Sequence, residues 1–187
     1  IPFDDCYATL LWVSENTATL GIEPSQIGVG GDSAGGNLAA AVALKARDTG
    51  DLNLSFQLLI YPCNDNKMNY ESAYKNSDGY GLSTKAMKWF WEQYLSRKAD
   101  AKNPYAVPAA AKDFSNLAPA IITTAEFDPL LDDGYIYAEL LRKSGVPTVY
   151  REYQGMIHGY FTLAGITPEA NVLHQQVADE INALLAR

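Results

Sequence analysis

At 187 residues the chain is about the size of one domain and can bury a core without disulfide or metal staples. Lys and Arg number 14 against 22 Asp and Glu, a net charge of −8, and such a surface argues against binding nucleic-acid phosphates. No run of 18 apolar residues suggests a membrane span, and Cys6 and Cys63 are too few for a disulfide framework and lack metal-ligand spacing, so free thiols are expected.

Helical and strand patterns alternate along the chain, the signature of βα units around a parallel sheet. Asp4 and Asp5 offer an N-cap to a first helix carrying Tyr7, Leu10, Leu11 and Ser14 on one face, ended by Gly21 and Pro24. Residues 26–30 read as a short strand, and 35–47 as an Ala-rich helix stopping before Gly50. Residues 56–61 form a continuous apolar run, as expected of a strand covered on both faces. Residues 120–125 read as a second buried strand, followed by a helix capped by Asp132 and closed by Gly145 and Pro147. Residues 148–153 alternate apolar and polar side chains, which predicts an edge strand. Thr167 and Pro168 open a last amphipathic helix expected to turn Val172, Val177, Ile181 and Leu184 inward. The domain reading is one unit over 1–187, interrupted by an insertion at 63–118. That insertion carries one helix near 83–95, with Met87, Phe90, Trp91 and Tyr94 on a stripe that reads as core packing or as the wall of an acyl pocket.

Gly31-Asp32-Ser33-Ala34-Gly35 has the form Gly-x-Ser-x-Gly, between a predicted strand and a predicted helix. That is the setting of a nucleophile elbow, a strained turn whose serine hydroxyl stands at a helix N-terminus. Side chains at the flanking glycines are expected to clash, and the Ala34 N–H is placed to meet a developing oxyanion. The serine needs a base, and only two histidines exist. His174 falls mid-helix; His158 lies in a loop after a predicted strand, where parallel α/β sheets place their sites, and is the expected base. The carboxylate that orients it is expected at Asp128, after the strand at 120–125. Asp132 and Asp133 read as helix caps, and Glu126 stands too early. The order Ser, Asp, His is that of α/β-hydrolases.

Gly-Asp-Ser-Ala-Gly-Gly-Asn (31–37), Tyr-Pro (61–62), Gly-Tyr-Gly-Leu-Ser (79–83), Trp-Phe-Trp (89–91), Asp-Pro-Leu (128–130) and Met-Ile-His-Gly-Tyr (156–160) together resemble the hormone-sensitive-lipase family of carboxylesterases, bacterial members above all. The resemblance runs over essentially the whole chain. It implies an α/β-hydrolase fold with a mostly parallel sheet flanked by helices, and Ser33, Asp128 and His158 as a catalytic triad. It implies hydrolysis of short-chain acyl esters, small molecules, with no metal or organic cofactor. The family carries a His-Gly-Gly-Gly loop before the serine that supplies most of the oxyanion hole; no such sequence occurs in these 187 residues, and the strands preceding it in the family are absent as well. The expectation is therefore a strand next to Ser33 with an open edge, and a chain that self-associates or is complemented by an N-terminal segment. No leader is recognisable ahead of the first helix, which is read as a cytoplasmic protein, although the chain begins at Ile1 rather than Met. The alternatives from other classes are a ligand-binding hydrolase relative that does no chemistry, and amide hydrolysis on the same triad.

Overall fold

A computed structural model describes residues 2–186. Its frame is a four-stranded, all-parallel sheet in the order β1-β2-β3-β4: β1 is Val29–Asp32, β2 Gln57–Ile60, β3 Ala120–Phe127 and β4 Thr148–Ile157. Helices α1 (Pro2–Glu15) and α2 (Thr17–Leu20) precede the sheet. Helix α3 (Ala34–Thr49) connects β1 to β2. Helices α4 (Glu71–Lys75) and α5 (Thr84–Tyr94) lie in the insertion, α6 (Leu131–Lys143) joins β3 to β4, and α7 (Pro168–Leu185) follows β4. Among the described residues no helix is long and apolar enough to cross a membrane.

The sheet separates two apolar layers. Leu59 and Ile122 point toward Ala40 and Leu44 of α3 and Tyr137, Ala138 and Leu141 of α6. Ile60 and Ala125 meet Leu173 and Val177 of α7 on the other side. β3 is buried along its first six residues because it has a strand on each edge and helices on each face. Each Leu or Ile buried this way contributes roughly 1.5–3 kcal/mol. A third cluster, built from Cys63, Met68, Tyr70, Met87, Trp91 and Leu130, ties the insertion to the start of α6. β1 has β2 on one side and is an edge strand of the described sheet.

Several local expectations shift. Pro24 starts a 3-10 turn at Pro24–Gln26, so the strand expected at 26–30 begins at Val29 and runs to the residue before Ser33. Asp4 and Asp5 lie within the first turn of α1, which begins at Pro2, rather than ahead of it. Asp132 does not cap α6: its carboxylate accepts the Ser72 N–H, while the Asp133 carboxylate accepts the N–H groups of Asn64 and Asp65. Val172 faces solvent, and Ala170 and Leu173 take the inward positions. Side-chain caps are present at α5, where Ser83 accepts the Ala86 N–H at 3.1 Å, and at α7, where Thr167 accepts the Ala170 N–H. β4 continues four residues beyond the expected strand, through a bulge against Ala125 and Phe127, and delivers its last residue to the position before His158. Both cysteines are free thiols; Cys6 is exposed and Cys63 buried.

Candidate functional site

The turn from β1 into α3 holds Ser33 at φ 54° and ψ −117°, a conformation that costs about 1–3 kcal/mol and persists only where its surroundings enforce it. The Ser33 N–H donates to Ile60 O at 2.9 Å, and the Ser33 carbonyl accepts the Asn37 N–H at 3.2 Å, so strand and helix grip the turn from both ends. The glycines act differently from expectation. A Cβ on Gly31 would sit 2.4 Å from the Gly35 carbonyl, and one on Gly36 would sit 2.9 Å from Pro62 Cβ. A Cβ on Gly35 would meet nothing within 4 Å. The clash therefore falls on Gly31 and Gly36, because these two face the backbone across the turn and the chain after β2.

β1, β3 and β4 run parallel, so their C-terminal ends open on one side of the sheet. There Ser33, Asp128 and His158, remote in sequence, come together. His158 Nε2 lies 2.9 Å from Ser33 Oγ, and His158 Nδ1 lies 2.6 Å from Asp128 Oδ2. With a carboxylate against Nδ1, that nitrogen carries the proton and Nε2 is left to accept from the serine hydroxyl. Asp128 is fully buried; its Oδ1 accepts the Leu130 N–H at 2.8 Å, so both oxygens are engaged. Ala34, first residue of α3, is exposed, with its N–H at the positive end of the helix beside Ser33. His174 stands apart on α7, its Nε2 2.9 Å from Phe161 O. Glu126 holds no histidine; it accepts the Gly155 N–H at 2.7 Å across the β3–β4 bulge.

Other residues of the site carry no motif-level label. Tyr61, at φ 35°, lays its ring against His158 with centroids 4.5 Å apart, and its hydroxyl reaches Asp32 Oδ2 at 3.4 Å. Burial, and then the charge of Asp32, push the Tyr61 phenol far above its ordinary range, so it stays a neutral donor. Asn37 donates to Cys63 O at 2.8 Å, pinning the start of α3 to the chain after β2. Tyr61 and Asn37 are both inside the quoted motifs, but their contacts are long-range and have no local signal. Beside Ala34 a cavity of about 280 Å³ is lined by Leu38, Cys63, Met87, Phe90, Trp91 and Tyr94 among others. All four residues of the α5 stripe line this cavity; Met87 and Trp91 are also buried in the core, while Phe90 is half exposed. Among the described residues no group of three or more His, Cys, Asp or Glu side chains converges as metal ligands would.

A parallel sheet between helical layers, with these three side chains at its C-terminal ends, defines an α/β-hydrolase. The chain belongs to that family, whose description, alpha/beta hydrolase fold, matches residues 1–162. The carboxylesterase NlhH of Mycobacterium tuberculosis is 42% identical over 170 residues, covering 89% of this chain and 53% of its own. An arylesterase of Saccharolobus solfataricus is 38% identical over 157 residues, covering 83% and 51%. The crystal structure of a thermostable esterase from Pseudomonas putida superposes with a TM-score of 0.94 at 37% identity, over 98% of this chain and 59% of that one. The chain spans about half the length of the curated relatives it matches.

Proposed function

We propose that this site hydrolyses carboxylic esters through an acyl-enzyme. The observation that carries the reading is the continuous line from Asp128 Oδ2 to His158 Nδ1 at 2.6 Å and from His158 Nε2 to Ser33 Oγ at 2.9 Å. Ser33 Oγ attacks the ester carbonyl while its proton passes to His158 Nε2. The imidazolium formed is stabilised by Asp128, and the oxyanion by the Ala34 N–H. Collapse of the tetrahedral intermediate breaks the ester C–O bond, His158 gives its proton to the departing alkoxide, and the acyl group remains on Ser33. Water then attacks the acyl carbon with His158 as base, releasing the carboxylic acid and restoring the Ser33 hydroxyl. The names of the relatives, carboxylesterase and arylesterase, support the reaction class.

The cavity beside Ala34 supports short acyl chains as substrate. Its walls are apolar side chains, and its 280 Å³ is at the small end for a ligand pocket. The test is active-site labelling together with turnover. A fluorophosphonate should add to Ser33 alone, read by intact mass and peptide mapping, and Ser33→Ala should abolish labelling. Turnover of p-nitrophenyl esters should then fall as the acyl chain is lengthened from butyrate. Labelling of Ser33→Ala at the parental rate would refute the reading. Ala34 supplies one oxyanion donor in this reading, and one missing donor costs on the order of 10²–10³ in kcat. A segment carrying His-Gly-Gly-Gly, supplied in cis or in trans, is accordingly expected to raise kcat by at least about 10².

A further inference from the structure

We infer that Asn76, in the insertion and 52 residues from Asp128 in sequence, is a positioning residue that sets where Asp128 meets His158. The inference rests on the hydrolase reading above and deepens it.

Asp128 stands on a turn whose backbone is held by α4. Asn76, at the C-terminal end of that helix and buried, donates from its one side-chain amide to Glu126 O at 3.0 Å and to Asp128 O at 3.1 Å. The two carbonyls bracket Phe127 and end at the acid itself. Ser72, one turn earlier on α4, donates to Pro129 O at 3.0 Å and accepts the Asp132 N–H at 3.0 Å, while its own N–H goes to the Asp132 carboxylate at 2.8 Å. Four residues, Glu126 near the end of β3 and Asp128, Pro129 and Asp132 beyond it, are therefore fastened to a short helix 50 to 60 residues earlier. Ser72 fixes the part of the turn that enters α6. Asn76 fixes the part that carries Asp128.

The arrangement has little slack. Asp128 must place one oxygen 2.6 Å from His158 Nδ1 while the other accepts Leu130 N–H at 2.8 Å. A planar amide with two donors can hold two carbonyls at a fixed separation, which a hydroxyl or a single donor cannot. Without it the half-buried Glu126 carbonyl loses a partner, the buried Asp128 carbonyl is left with the Leu131 N–H at 3.2 Å, and the turn between them is free to shift. A carboxylate displaced from Nδ1 no longer selects the tautomer in which Nε2 accepts from Ser33.

The chain's having only two histidines makes the test direct. Ring ¹⁵N NMR of the whole chain reports the tautomer of His158, with His174, bonded to Phe161 O, as internal reference. In the parent, neutral His158 should be the Nδ1–H form, and in Asp128→Asn it should lose that preference. Asn76→Ala should move His158 at least half-way toward the Asp128→Asn spectrum and leave His174 unchanged. If Asn76→Ala does not fold, Asn76→Leu removes both donors while filling the same space. On p-nitrophenyl butyrate, kcat should fall by about 10- to 10²-fold with KM within about two-fold, the cost of a displaced catalytic group. In the Asp128→Asn background the same substitution should cost less than about two-fold, because the positioned group is already gone. A folded Asn76 variant with a lowered melting temperature but the parental His158 tautomer would overturn the inference, and so would full additivity of the two losses. If turnover in the parent survives Ser33→Ala, the hydrolase reading fails, and the NMR comparison still decides the role of Asn76.

Discussion

The turn that presents Ser33 and the turn that presents Asp128 do the same job by opposite means. The first takes its shape from neighbours in sequence: a glycine at 31 with no room for a Cβ, a residue at positive φ, and a helix that starts at once. It is tied to the next strand by the Ser33 N–H to Ile60 O bond. The second has ordinary backbone and no glycine, and is held by Asn76 and Ser72 from the insertion. A turn that encodes its own strain can be read from five residues. A turn that borrows its geometry has no local signature, and it ties the insertion to the residue that meets His158.

Substitutions can break that comparison at either end. The largest effect is expected at the reacting atoms: His158→Ala should abolish ester turnover in any active form, whereas His174→Ala should leave it within a few-fold. Equal losses would mean the base is misassigned. Asp128→Asn should lower kcat by up to about 10⁴ by stabilising the wrong imidazole tautomer, measured as Ser33-dependent turnover. Next come the glycines of the elbow. Gly31→Ala drives a Cβ to 2.4 Å from the Gly35 carbonyl and should cost about 1–3 kcal/mol or more, with loss of Ser33 labelling. Gly35→Ala meets nothing within 4 Å, lies in a helix, and should raise stability by up to about 1 kcal/mol in denaturant titration. Equal losses from the two would show that the elbow is not held by the Gly31 contact.

The smallest effect belongs to Asp133, at the α6 end of the acid turn. Burial, and then the charge of Asp65, raise its carboxyl well above the usual range, against the opposing donation from Asn64, Asp65 and Tyr70. The native state then binds a proton that the unfolded chain has released above about pH 4. Its contribution to stability therefore falls as pH rises from there toward the native value. Asp133→Asn removes that titration, so the variant should gain on the parent as pH is raised from 4 to 8 in thermal melts. Parallel melting curves would count against the raised carboxyl.

How much of this was legible follows the same division. The alternation of β and α segments, the elbow and the choice of His158 over His174 rest on patterns within a few residues. The structure places the segments and the turn at Ser33 within a few residues of where the sequence put them, and brings His158 to 2.9 Å from Ser33 Oγ while His174 meets Phe161 O. The errors share one cause. Asp132 and Asp133 look like caps because acidic residues at a helix start usually are, but here the nearest unpaired donors belong to the chain at 64, 65 and 72. Val172 and Leu173 are adjacent apolar residues, and which one turns inward depends on the angle at which α7 meets the sheet. Phe90 and Trp91 read as one stripe and both line the cavity beside Ala34, but only Trp91 is also buried in the core.

The sequence alone determined the class of fold, the strained serine and the three residue types that a nucleophilic site needs, because each has a local steric or periodic cause. Tertiary structure decided how these residues are held. The ring under His158, the amide behind Asp128 and the Glu126 carboxylate across the bulge are contacts between residues 29 to 97 positions apart. Their worth comes from burial and from donors left over by other elements, and neither exists until the chain has folded.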